Sequence, residues 1–173
     1  MGDLKQKATK GALWSFAGKF GGQIIRFGVG IVLARILTPR EYGLIGMLAI
    51  FIAIGDALVE GGFGQALVQK RNPTKKDYSS VFYLNLLVGL LLFFLLWALS
   101  SVIASFFEED ILSDLIVVLG FGIVIRSFMV IQNSIFIKQI NFKALSINRI
   151  ISITVSGLVA IPMAVKGYGV WSL

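Results

Sequence analysis

The sequence contains no cysteine and no histidine. It therefore has no disulfide, no thiol nucleophile and neither of the commonest nitrogen and sulfur metal ligands. An enzyme built from it would need paired carboxylates or a Ser-Lys arrangement. Charge is also scarce: Asp, Glu, Lys and Arg make up 14% of the chain, against roughly 25% in soluble domains. Proline occurs three times. In their place stand apolar residues, 57% of 173, with a mean hydropathy of +0.87. One aqueous core cannot hide that much apolar surface, so a membrane is the natural solvent. The composition implies no metal and no cofactor.

The apolar residues fall into five long spans, at about 11–37, 42–67, 79–106, 111–137 and 144–165. Each exceeds the ~20 residues needed to cross ~30 Å of hydrocarbon. All are expected to be helices, because lipid leaves no partner for loose backbone groups. The connections TPREY, VQKRNPTKKDYS, FEED and KQINFK are short, which makes consecutive helices antiparallel neighbours. The expected fold is an all-α membrane protein, a single transmembrane helical domain over 1–173. The basic start is not read as a cleaved signal, since Lys19 and Arg26 interrupt its apolar run.

The net charge of +7 could point to nucleic acid, but the cations are dispersed. With alternating spans, Lys5, Lys7, Lys10, Lys70, Arg71, Lys75, Lys76, Lys138 and Lys143 share one side. Arg40, Lys166 and the acidic Glu108, Glu109 and Asp110 share the other. The positive-inside rule makes the first side, and the N-terminus, cytoplasmic. No nucleic-acid partner is implied. The acidic loop lacks the alternating ligand spacing of a calcium loop.

Five ionisable groups lie well inside the spans: Lys19, Arg26, Asp56, Glu60 and Arg126. Such groups usually face a bundle interior or a wet cavity. Lys19, Gln23 and Arg26 recur at i, i+4 and i+7 on one helix face, and Asp56 and Glu60 recur at i, i+4. At about 1.5 Å rise per residue, Lys19 and Glu60 stand at similar depths, as do Arg26 and Asp56. The expectation is that these pair, or that all four line one polar cleft. One cation is then left over, with Arg126 added. A modestly cationic cleft suits an anion such as phosphate, and Arg suits it better than Lys through its planar fork. Lys19, Gln23, Arg26 and Arg126 are the candidate substrate-binding residues. Asp56 and Glu60 are candidates for setting cavity charge or for ion coupling. Register-fixing ion pairs, or a snorkelling Lys19, would explain the same residues without a substrate. Glycines crowd the first span and the end of the second. Close helix approach explains them, and so does local bending.

The segment Leu33-Ala34-Arg35-Ile36-Leu37-Thr38-Pro39-Arg40-Glu41-Tyr42-Gly43 links the first two spans. Thr38-Pro39 should end one helix and open the next. This stretch resembles a signature of bacterial polysaccharide flippases, the oligosaccharide exporters of the multidrug/oligosaccharidyl-lipid/polysaccharide superfamily. Leu33, Ala34, Arg35, Pro39 and Gly43 carry the likeness. KGALWSFAGKFGGQ, GGFGQALVQKRN, INFKALS and KGYGVWSL are similar in order and spacing. The resemblance implies about five transmembrane helices plus the start of a sixth, part of one lobe of a two-lobed transporter. It further implies an undecaprenyl-pyrophosphate-linked glycan as substrate, carried to the outer leaflet of the bacterial cytoplasmic membrane. H+ or Na+ would be the coupling ion, and a missing C-terminal lobe or self-association would complete the cavity. Open alternatives are a drug or small-cation exporter on the same scaffold and a non-transporting scaffold fragment. A membrane glycosyltransferase would want a soluble acidic catalytic loop, and no loop is long enough.

Overall fold

The computed structural model describes the backbone of residues 2–139 and 142–173. Side chains 2–10 and 12 lie outside the described residues, so the placement of Lys5, Lys7 and Lys10 is not covered. Ile140 and Asn141 of the INFKALS stretch lie outside them as well.

The described chain is helical: α1 (Gly2–Ile36), α2 (Pro39–Glu60), α3 (Phe63–Gln69), α4 (Lys75–Phe106), α5 (Ile111–Lys138) and α6 (Phe142–Val165), then a 3₁₀ turn at Gly169–Ser172. Five segments are long and apolar enough to cross a membrane: 13–36, 39–69, 75–106, 111–138 and 142–165. The second differs from its expected continuous form. Gly61 and Gly62 take positive φ of 23° and 77°, ending α2, and α3 restarts at Phe63. Left-handed backbone is accessible to glycine at little steric cost, so the Gly-Gly pair is where the span breaks.

Helix starts follow side-chain capping. Thr74 caps α4: its hydroxyl accepts from Asp77 N at 3.3 Å, while Thr74 N donates to Asp77 Oδ2 at 2.7 Å. This reciprocal capping box satisfies two orphan donors. Lys70 Nζ adds an ion pair to Asp77 Oδ2 at 2.8 Å. The LTPREYG stretch is built on related logic. Glu41 Oε2 accepts from both the backbone N–H and the hydroxyl of Thr38, the latter at 2.9 Å. Pro39 opens α2, where its missing N–H costs nothing. Proline and acid thus mark a helix corner.

The chain divides into two compact units, residues 1–46 with 136–173, and residues 47–135. In the first, α1 packs along α6. A Cβ on Gly18 would meet Ser146, one on Gly22 would meet Ile153, and one on Gly157 would meet Val29 Cγ2 at 2.5 Å. Ser146 Oγ donates to the Trp14 carbonyl at 2.7 Å, and Lys143 Nζ stands 5.4 Å from the Trp14 ring centre. Leu33, Leu37 and Ala164 close the far end of the seam. Contacts ascend both helices together, so α1 and α6 run parallel although four other helices separate them in sequence. Lipid is as apolar as leucine, so close packing through small residues, rather than apolar burial, holds such a pair.

The same unit holds the chain end against the α1–α2 corner. Gly167 and Gly169 have φ of 82° and 58°. A Cβ on Gly169 would fall on Glu41 Oε1. LTPREYG and KGYGVWSL, far apart in sequence, therefore meet at one carboxylate.

In the second unit α5 is the central helix, with Leu112, Ile116, Gly120, Ile123, Ser127, Ile131 and Ser134 buried at helical spacing. A Cβ on Gly89 of α4 would meet Ser127 at 3.0 Å, and one on Gly120 would meet Phe93 at 2.9 Å. These contacts run in opposite directions along the two helices, so α4 and α5 are antiparallel. Gly55 of α2 abuts Ile123, and Gly64 of α3 abuts Val130 and Ser134. Those contacts ascend together, so α2 and α5 run parallel.

Candidate functional site

The candidate residues fall in both units. On α1, Lys19, Gln23 and Arg26 are all exposed. At 100° per residue Lys19 and Arg26 lie about 40–60° to one side of Gly22, and Gln23 about 100° to that side. Gly22 itself is buried on the α6 seam. The polar stripe therefore borders the helix contact.

One residue of this neighbourhood escaped the sequence reading. Arg149 of α6 places its Nε 3.8 Å from where a Gly22 Cβ would be. It is the one charge in the apolar part of α6, about 10 Å in from Phe142 at 1.5 Å per residue. Its place inside the fifth span, six residues after Lys143, is a signal the sequence carries.

The electrostatics of the α1/α6 pair are one-sided. Neither 13–36 nor 142–165 contains an Asp or Glu, while together they carry Lys19, Arg26, Arg35, Lys143 and Arg149. No ion pair within this unit neutralises Lys19, Arg26 or Arg149 among the described residues. Insertion scales set the cost of one Arg or Lys at a helix centre at about 2.5–3.5 kcal/mol. Arg26 sits about 15 Å from the nearer end of its apolar stretch, deep enough to bear much of that cost.

The second unit is arranged differently. Arg126 Nη1 of α5 donates to Asp56 Oδ1 of α2 in an ion pair. The side chains keep 54% and 40% of their exposure. Asp56, expected to match Arg26 by depth, carries Arg126. The depth comparison considered only consecutive helices, whereas Gly55 against Ile123 brings the parallel α2 and α5 close enough for the pair. Glu60 is exposed at the last residue of α2, beside the Gly61-Gly62 break. Asn85 of α4 is fully buried, with both amide atoms lacking a partner among the described residues. Nothing in its position separated it from the surrounding Leu and Phe run.

Among the signature residues, Leu33 is buried against α6 and Pro39 starts α2, while Ala34, Arg35 and Gly43 are exposed. Two of the five thus have a structural account.

Helices of this length and apolarity, carrying unbalanced positive charge, define a multi-pass membrane protein. The chain belongs to the polysaccharide biosynthesis protein family, which matches residues 32–173. It is similar to an uncharacterized membrane protein in the cps region of Klebsiella pneumoniae, 29% identical over 83% of this chain and 30% of the relative. The succinoglycan biosynthesis transport protein ExoT of Rhizobium meliloti is 24% identical, covering 95% and 33%. The teichuronic acid biosynthesis protein TuaB of Bacillus subtilis is 30% identical, covering 84% and 30%. The chain spans about a third of the length of these curated relatives. No solved structure matches it. The protein is thus a multi-pass protein of a bacterial membrane.

Proposed function

We propose that the chain forms part of a transporter that moves lipid-pyrophosphate-linked oligosaccharide across the cytoplasmic membrane for polysaccharide biosynthesis. The supporting observation is that the apolar stretches 13–36 and 142–165 contain no carboxylate, while Lys19, Gln23 and Arg26 stand on one exposed stripe. Unpaired cations in lipid are costly, and a transient anionic cargo offsets that cost only while it is bound. A drug or small-cation exporter would need the opposite sign here. The name of the relative ExoT, a succinoglycan biosynthesis transport protein, supports a transport role.

In this reading Lys19, Gln23 and Arg26 receive the pyrophosphate head, while the lipid tail stays in the bilayer. Arg126, the remaining binding candidate, is ion-paired with Asp56 within residues 47–135. Protonation of Asp56, or Na+ bound to it, would open the pair, which makes Asp56 with Glu60 the coupling candidates. The basic loops support a cytoplasmic N-terminus. The partners are the undecaprenyl-pyrophosphate-linked glycan, H+ or Na+, and the rest of a two-lobed transporter.

The test is surface glycan in cells carrying Lys19→Gln and Arg26→Gln in the natural gene product. Export should fall at least tenfold while membrane insertion stays normal, with lipid-linked glycan accumulating inside. Unchanged export from normally inserted protein would overturn the reading. Arg126→Gln is a poorer test, because it also strands Asp56.

A further inference from the structure

Arg149 stands apart from the residues already assigned. It lies on a different helix from Lys19 and Arg26, and its Nε lies 3.8 Å from the Cβ position of Gly22. Gly22 is three residues after Lys19 and four before Arg26, on the neighbouring part of the same helix face. At Gly22 the missing side chain lets α6 approach: Ile153 Cδ1 lies 3.0 Å from the Cβ position, with Arg149 Nε beside it at 3.8 Å. Lys19 and Arg26 are about 10 Å apart along the axis, with Arg149 entering at the level between them.

Lys19, Arg26 and Arg149 put three like charges on neighbouring turns of the α1/α6 pair, and α1 and α6 supply no carboxylate within their apolar stretches. A monoanionic carboxylate would leave most of that charge unmatched. A pyrophosphate presents several charged oxygens, and a guanidinium fork can bind two of them at once. Gln23, on the same side of α1, adds an amide donor beside them.

We infer that Arg149 is the third arm of an anion site on the α1/α6 pair, beside Gly22 between Lys19 and Arg26, and that this site takes a multiply charged phosphate group. The inference rests on the transporter reading only in naming a lipid pyrophosphate as its natural source. An anionic phospholipid headgroup has related chemistry.

The test uses the natural gene product in phosphatidylcholine nanodiscs, with farnesyl pyrophosphate as the probe. Wild type should bind it, with affinity falling as salt rises. Arg149→Gln and Arg149→Met, the second keeping much of the stem, should each weaken binding at least tenfold and flatten the salt dependence. Arg149→Lys should recover part of the loss. Competition by inorganic pyrophosphate, but not by nanodiscs containing phosphatidylglycerol, supports a pyrophosphate site. Displacement by phosphatidylglycerol, whose phosphodiester carries a single charge, would show that the site does not select a multiply charged phosphate and would overturn the inference. Wild-type affinity and salt dependence in both monodisperse Arg149 variants overturn the inference. If the Lys19→Gln/Arg26→Gln protein alone loses binding, only the role of Arg149 fails. If that protein also binds like wild type, the reading of the whole stripe fails with it.

Discussion

The two units treat charge within apolar helices in opposite ways. In residues 47–135 the Arg126 guanidinium meets the Asp56 carboxylate across two parallel helices. In the α1/α6 unit, Lys19, Arg26 and Arg149 stand in apolar helix stretches, and among the described residues no ion pair neutralises them. A paired charge fixes helix register and is consistent with a structural role. An unpaired cation in an apolar helix lowers stability, so its presence points to a task outside the fold. Charge count alone would have treated Arg126 and Arg26 alike.

The largest expected effect concerns the packing on which this contrast rests. Gly18→Leu drives a side chain into the Ser146 backbone and side chain, and the freed α1 should leave little monodisperse protein in size-exclusion chromatography. Gly28→Leu, where a Cβ meets nothing within 4 Å, should behave as wild type. A well-behaved Gly18→Leu protein would remove the seam from the account.

Next come the charges themselves. Asp56→Asn should lower stability by about 2.5–3.5 kcal/mol, the cost of leaving one arginine unpaired within an apolar span. The Asp56→Arg/Arg126→Asp exchange should restore most of it. Lys19→Gln and Arg26→Gln should instead hold or raise the melting temperature while export is lost. Melting curves that fall equally for all three single variants would erase the distinction between the units.

Gly169→Ala tests the corner of the α1/α6 unit. It forces an alanine to φ near 58° against Glu41, at about 1–2 kcal/mol for the left-handed backbone, seen as a lower melting temperature. Glu41→Ala in the same background should relieve the collision but not the backbone strain, giving partial recovery. The smallest change is Thr74→Ala in the other unit. Loss of the α4 cap should cost about 1 kcal/mol and leave the α1/α6 seam untouched, as trypsin sensitivity confined to the Lys70–Lys76 stretch would show.

Much of this protein was legible residue by residue. The five spans followed from apolar length, and Thr38-Pro39 marked the helix corner. The GGFG stretch was noted for its glycines, but the break at Gly61-Gly62 needed φ values to become visible, since glycine also packs within helices. Lys19, Gln23 and Arg26 were identifiable from spacing because one helix suffices to align them. Arg149 was not, because its significance depends on which helix lies against α6. Asn85 was missed for a related reason: a single polar residue in an apolar run shows its burial only when the neighbouring helices are in place.

The sequence alone determined that this chain is a set of membrane-spanning helices with an excess of positive charge, since apolar length and charge are properties of each segment by itself. The tertiary structure decided the partners: α1 beside α6 in parallel, Asp56 with Arg126, and Arg149 beside Gly22. In lipid every apolar face is already solvated, so helices choose neighbours by the fit of small against large side chains. That fit is a relation between surfaces distant in sequence, and no periodicity within one span records it.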